Sequence, residues 1–152
     1  MIALADELRR EVEAAAARLR ALPESEADRE RGPGKWTRKE ILGHLVDSAL
    51  DNHQGFLRAR FADPLAWPGY EQDAWVATQR YRGRSWAELV ELWVALNGHV
   101  AHTIAGTPPE RLATSCTFGS RAPTTLEWWM RDYLRHLRHH LAQLLPAEGR
   151  AS

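Results

Sequence analysis

The chain has 152 residues, 44% of them apolar and 26% charged, with 20 acidic residues balanced by 20 Lys and Arg. That length suits one domain over residues 1–152, and the apolar fraction excludes an intrinsically disordered chain. Zero net charge speaks against a partner held by a general basic field, so no nucleic acid is expected; the single cysteine, Cys116, excludes an internal disulfide framework and a cysteine-rich zinc module.

The N-terminal stretch interleaves glutamates and arginines and lacks the apolar core of a secretory signal. No apolar run approaches the roughly 18–20 residues of a membrane span, so a cytoplasmic protein without a membrane partner is expected. Residues 3–22 read as a helix, because Leu4, Leu8, Val12, Ala15, Leu19 and Leu22 recur at spacings of three and four before Pro23. Residues 24–35 are polar, contain Gly32-Pro33-Gly34, and read as a loop. Thr37 and Glu40 form a capping box that opens a second helix to about residue 60, with Trp36 as a candidate staple against Ile41.

Residues 61–84 make a long connection with Trp67, Tyr70, Trp75 and Tyr81, and a short helix is expected around 73–79. Such a length is unusual in a compact domain, and its aromatics imply that it packs over something. Ser85 and Glu88 suggest a second capping box, opening a helix that Gly106 can end. Residues 107–123 read as a loop with a two-strand or irregular excursion around 115–120, and Thr124 with Glu127 suggests a third box for a helix that stops before Pro146. No stretch alternates with period two, so strands are expected to be few or absent. Four helices with one apolar stripe each have a simple solution: an all-α four-helix bundle with a long loop between the second and third helices.

The last helix carries the informative pattern. Leu126, Met130, Leu137, Leu141 and Leu144 mark its inward side, and Trp129, Tyr133, His136 and His140 form the adjoining stripe. His136 and His140 are neighbours one turn apart, whereas His139 falls on the outer face with Asp132 and Arg135. Two such imidazoles can each offer a nitrogen to one metal ion; the competing reading is a pair of core-edge histidines hydrogen-bonded to carbonyls or carboxylates. A third ligand must come from another helix. His44 shares a stripe with Ile41, Leu45 and Ser48, and Asp47 and Asp51 follow close enough to orient an imidazole or meet a metal-bound water. His99 and His102 rank lower for want of a matching apolar stripe, and His53 is expected to be exposed. Three histidines from two helices would leave coordination positions open, the arrangement of catalytic rather than structural sites.

The stretches GKWTRKEILGHLVDSALDNHQGFLRARF, PGYEQDAWVATQRY, LWVALNGHVAH and DYLRHLRHHLAQLL together resemble the DinB-like superfamily, more narrowly its YfiT-like branch of metal-dependent hydrolases. WT…GHLVDS and the closing H-x-x-H-H-x-x-Q carry most of the resemblance, which runs from Trp36 to Leu145. The resemblance implies a four-helix bundle whose metal sits on one histidine of the second helix and two, spaced by four, on the last: His44, His136 and His140. It implies nickel or zinc, with manganese or iron as alternatives, water at the remaining positions, and a homodimer. Relatives include transferases and isomerases that use low-molecular-weight thiols; the family name is no evidence for DNA repair.

Three functions stay open at this level. The first is a metalloenzyme, a hydrolase or thiol S-transferase, in which the ion activates water or a thiol against a small-molecule substrate. There, aromatics of the long connection would close the pocket, Arg80, Arg82 or Arg84 would hold an anionic group, and Asp47, Asp51 or Tyr133 would stand behind the metal ligands. Neither Ser48 nor Cys116 belongs to a nucleophile–base constellation. The second is a metal-dependent binding or sensor bundle without turnover. The third is a structural bundle that dimerises through Trp128, which points about 100° away from Trp129 on the same helix.

Overall fold

The computed structural model describes residues 1–145. Four long helices form the bundle: α1 (Ile2–Ala21), α3 (Arg38–Arg58), α5 (Trp86–Ala105) and α6 (Leu126–Leu144). Two shorter helices, α2 (Glu24–Asp28) and α4 (Gln72–Gln79), sit in the connections. Three short strands, β1 (Leu65–Trp67), β2 (Ser115–Phe118) and β3 (Thr124–Thr125), form one sheet in that order.

The ends of the helices follow local chemistry. At α3 the capping box is complete: the Glu40 N–H donates to Thr37 Oγ1 at 3.3 Å, and the Thr37 N–H donates to the Glu40 carboxylate at 2.8 Å. At α5, Ser85 accepts from the Glu88 N–H, but the partner carboxylate comes from elsewhere, since Glu24 accepts the Trp86 N–H at 3.0 Å. The cap of α6 is Thr125, not Thr124, and it accepts from the Trp128 N–H at 3.1 Å. Thr124 is taken up by β3, where it pairs with Cys116. Pro146, expected to stop this helix, lies outside the described residues.

Two expectations are corrected here. Residues 24–28 are helical rather than loop, because buried Lys39 of α3 pairs with both Glu24 and Asp28 and Ala27 is buried beneath them. The strands are more than a local excursion. β2 runs antiparallel to β3, and it also pairs in parallel with β1, Leu65 opposite Cys116 and Trp67 opposite Phe118. The sheet thereby fastens the long connection after α3 to the connection before α6.

Helix α1 packs on α5 and α6, and α3 packs on the same two, so the cyclic order is α1–α5–α3–α6. Sequence neighbours α1 and α3 lie across a diagonal, as do α5 and α6. The Trp86 indole N–H donates to the Leu19 carbonyl at 2.9 Å and ties α5 to α1. The core between the helices is filled by Leu8, Leu19, Phe56, Trp93, Met130 and Leu137, all buried.

Helix α6 seats a tryptophan against a glycine of α3. A Cβ placed on Gly55 would stand 2.0 Å from the Trp129 ring, and the Trp129 indole N–H donates to Asn52 Oδ1 at 2.7 Å one turn away. Gly43 gives the same room to Tyr81, whose ring would meet a Cβ at 2.1 Å. Gly98, in the interior of α5, has open space around it. Alanine should therefore act oppositely at two helical glycines. Gly55→Ala is expected to lose about 1–3 kcal/mol by overpacking, and Gly98→Ala to gain about 0.5–1 kcal/mol from helix propensity. Urea denaturation of both variants checks this, and equal shifts of one sign would refute it.

Candidate metal centre

His44 faces inward from the second turn of α3, on the stripe of Ile41, Leu45 and Ser48, all buried. His136 and His140 come from α6, on the side of Tyr133 and Leu137. The structure brings these three together. His44 Nε2 lies 3.3 Å from His136 Nε2, which lies 3.1 Å from His140 Nε2. One nitrogen from each ring falls within 4.8 Å of the other two, a grouping that can hold a metal ion. His139 is exposed and meets Gln143 at 2.9 Å, on the outer face as its position requires.

The environment keeps the cluster neutral. Burial, with the neighbouring imidazoles His140 and His136, pushes His44 down to about 3. Burial, then His140, brings His136 to about 4, against the opposing pull of Asp132. His140 is lowered too, by burial and by His139. Behind the cluster, His44 Nδ1 lies 3.4 Å from the Tyr70 hydroxyl, and the Trp36 ring packs on His44 at 5.2 Å. His140 Nδ1 is buried without a hydrogen-bond partner among the described residues.

The three residues expected behind the ligands have other partners. Asp47 is fully buried; its Oδ1 accepts from the Tyr81 hydroxyl at 2.6 Å and the Gln79 amide at 3.3 Å, and its Oδ2 has no partner among the described residues. It holds the long connection onto α3 and does not hydrogen-bond an imidazole. Asp51 accepts from the Trp67 indole N–H at 3.1 Å. Tyr133 donates to Asn97 Oδ1 at 2.6 Å and so braces α6 against α5. Burial raises both carboxyl groups above their ordinary range.

A cavity of about 680 Å³ opens from His44 and His136, a size suited to a small molecule. Trp67, Tyr70, Phe118 and Trp129 form its aromatic walls, and Asp51, Asn52 and Ser48 its polar edge. The aromatics of the long connection divide: Trp67 and Tyr70 line the cavity, Trp75 stacks behind Tyr70 at 4.5 Å, and Tyr81 lies under α3 against Gly43. None of Arg80, Arg82 and Arg84 lines the cavity; Arg82 pairs with Glu40 and Glu30, and Arg84 with Glu88. The lining cation is Arg121, between β2 and β3, a residue that sequence reasoning passed over. Trp128, 51% exposed, also borders the cavity. Cys116 is buried, and burial pushes its thiol up to about 11. His99 and His102 lie on the exposed side of α5; His53 is half-buried rather than exposed, because its ring packs against His99.

These elements define a four-helix bundle with a three-histidine cluster facing an aromatic cavity. The chain belongs to the DinB superfamily, whose sequence profile matches residues 7–144. Its fold is similar to that of YfiT from Bacillus subtilis, described as a probable metal-dependent hydrolase with an unusual four-helix bundle topology. The match has a TM-score of 0.79 and 20% identity, and covers 92% of this chain and 83% of that one. No curated protein matches the sequence. Among the described residues no helix is long and apolar enough to cross a membrane.

In the unfolded chain an imidazole titrates near 6.5, whereas His44 and His136 in the fold take up protons only near pH 3 and 4. Between those limits the unfolded state binds more protons, so stability rises with pH up to about 6.5 and is lost as pH falls toward 4. Asp47 and Asp51, raised by burial, work in the opposite sense, so the histidine share is read by difference: the urea midpoint of metal-free parent should fall more steeply from pH 6.5 to 4 than that of His44→Gln, and parallel profiles would contradict the assignment.

Proposed function

We propose that the chain binds one divalent ion, nickel or zinc, through His44, His136 and His140. We propose further that it acts on a small molecule in the adjoining cavity, by hydrolysis or by thiol S-transfer. The observation that carries this reading is the convergence of three Nε2 atoms, one from buried His44 and two from half-buried His136 and His140. A neutral imidazole nitrogen offers either one lone pair or one proton, so three of them meeting at one place cannot all be satisfied by each other. A cation among them satisfies all three. Their separations also fit, since donors about 2.0–2.1 Å from a zinc-sized ion stand about 3.0–3.4 Å apart at angles near 90–110°. The description of YfiT supports a metal-dependent hydrolytic role.

A divalent ion held there would lower the pKa of a water molecule or a substrate thiol and supply a nucleophile near neutral pH. The residues of the chain prepare the place. Burial keeps the imidazoles unprotonated, so that their lone pairs are available. An Nδ1–H on His44 has the Tyr70 oxygen to donate to, which leaves Nε2 as the free lone pair. Burial and the carboxylates Asp47 and Asp51 raise Tyr70, so its phenol stays protonated and uncharged. Trp67, Phe118 and Trp129 present apolar surface and keep water from that wall, while Asp51, Asn52 and Ser48 offer hydrogen-bonding groups to a bound molecule. This favours a compact substrate with an apolar body and a polar end.

Metal content of protein purified without a histidine tag tests the reading. The inner cluster is expected to contribute about one equivalent in the parent and in His139→Ala, and that contribution is lost in His44→Ala, His136→Ala and His140→Ala. Equal metal content in the parent and these three variants after reconstitution with nickel, zinc, manganese or iron would overturn it. Tyr70→Phe should keep the site but weaken metal affinity by about tenfold, read by competition with a chromogenic chelator. An unchanged affinity would show that Tyr70 does not orient His44.

A further inference from the structure

We propose that His53 of α3, with His99 and His102 of α5, forms a second metal site on the outer surface of the α3–α5 seam, for copper(II), nickel(II) or zinc(II). The site is separate from the inner cluster. His53 follows His44 by nine residues, two and a half helical turns, and so leaves α3 on the opposite side. The rings of His53 and His99 stand 4.6 Å apart between centroids. That is the spacing found in the inner cluster, where the His44–His140 and His136–His140 rings are 4.6 and 4.5 Å apart. His102 is one turn beyond His99, its ring parallel within 15° and 6.3 Å away. It is exposed, so its side chain is free to turn about χ1 and χ2 toward the pair.

None of the three imidazoles makes a hydrogen bond or an ion pair within the described residues, so no carboxylate or carbonyl accounts for their meeting. The nearby cation, Arg60, is drawn away by the Thr103 carbonyl and by Thr107 Oγ1, the latter at 2.9 Å. A donor set of imidazole alone selects the ion class. Calcium and magnesium want oxygen ligands and copper(I) wants sulfur, whereas copper(II), nickel(II) and zinc(II) accept imidazole, copper(II) most tightly. Water would complete the coordination, because the site lies open on the surface.

Copper(II) titration of the tag-free protein tests this, with bound copper counted after gel filtration and nitrogen coordination read from the electron paramagnetic resonance spectrum. The expected result is an equivalent that His53→Ala and His99→Ala each abolish, that His102→Ala weakens several-fold, and that His44→Ala leaves in place. That pattern is independent of whether the inner cluster binds metal, which the His44→Ala variant reports separately. If no equivalent disappears in His53→Ala and His99→Ala, any further copper sits elsewhere, for example at exposed His139, and the proposal fails. Both substitutions are at the surface, and unchanged far-UV circular dichroism and Tm would confirm that the variants are folded.

Discussion

The seating of Trp129 in the notch at Gly55 fixes how α3 and α6 lie against each other. The outer rim of the indole fills space that any side chain at position 55 would occupy, and its N–H is satisfied by Asn52 on the next turn. The two helices run antiparallel from that point, since Gly55 meets Trp129 while His44 meets His136 and His140. The first imidazole of α6 is seven residues from Trp129, and that of α3 eleven from Gly55, or about 10 and 16 Å along the two axes. Over such lengths a small tilt at the notch becomes a displacement of ring nitrogens. A ligand set must be held within about 0.5 Å of its working geometry, so the site depends on a contact that touches none of its ligands.

The diagonal order of the bundle explains the long connections. Two diagonal crossings and one adjacent one place α3 beside α6, far apart in the chain but sharing the cluster. The connection from α3 to α5 and the one from α5 to α6 then meet on one side of that pair. The pairing of β1 with β2 joins them and sets Trp67 opposite Phe118, and both rings reach Trp129. A cavity wall is thus assembled from two loops and a helix, and the strand pairing gives the loops the rigidity that a wall needs.

Much of this could be read from the residues. The inward stripes of α3 and α6 select His44, His136 and His140 and separate them from His139, because a buried helix face repeats in sequence. The Thr37–Glu40 box marks the start of α3 to the residue. What could not be read was decided by partners distant in the chain. Helix α2 has only five residues, and it exists because Lys39 needs its carboxylates. The strands are two to four residues long, too short for alternation to show, and β1 owes its state to β2. Asp47 and Tyr133 lie on the right faces, but Tyr81 and Asn97 claim them. Tyr70 and Arg121 reach the cavity from loops, where spacing carries no direction.

Cys116 adds a consequence for redox chemistry. An accessible cysteine is exposed to mixed-disulfide formation, in which its thiolate is captured by a small disulfide. The only cysteine of this chain lies within β2, fully buried, its sulfur turned to the Thr114 carbonyl at 3.6 Å and its thiol held protonated. Exchange needs a thiolate and a line of approach, and both are denied. Capture would require β2 to leave β1 and β3, which would also dismantle the cavity wall. The protein can therefore pass through swings of thiol and disulfide concentration with its covalent state unchanged.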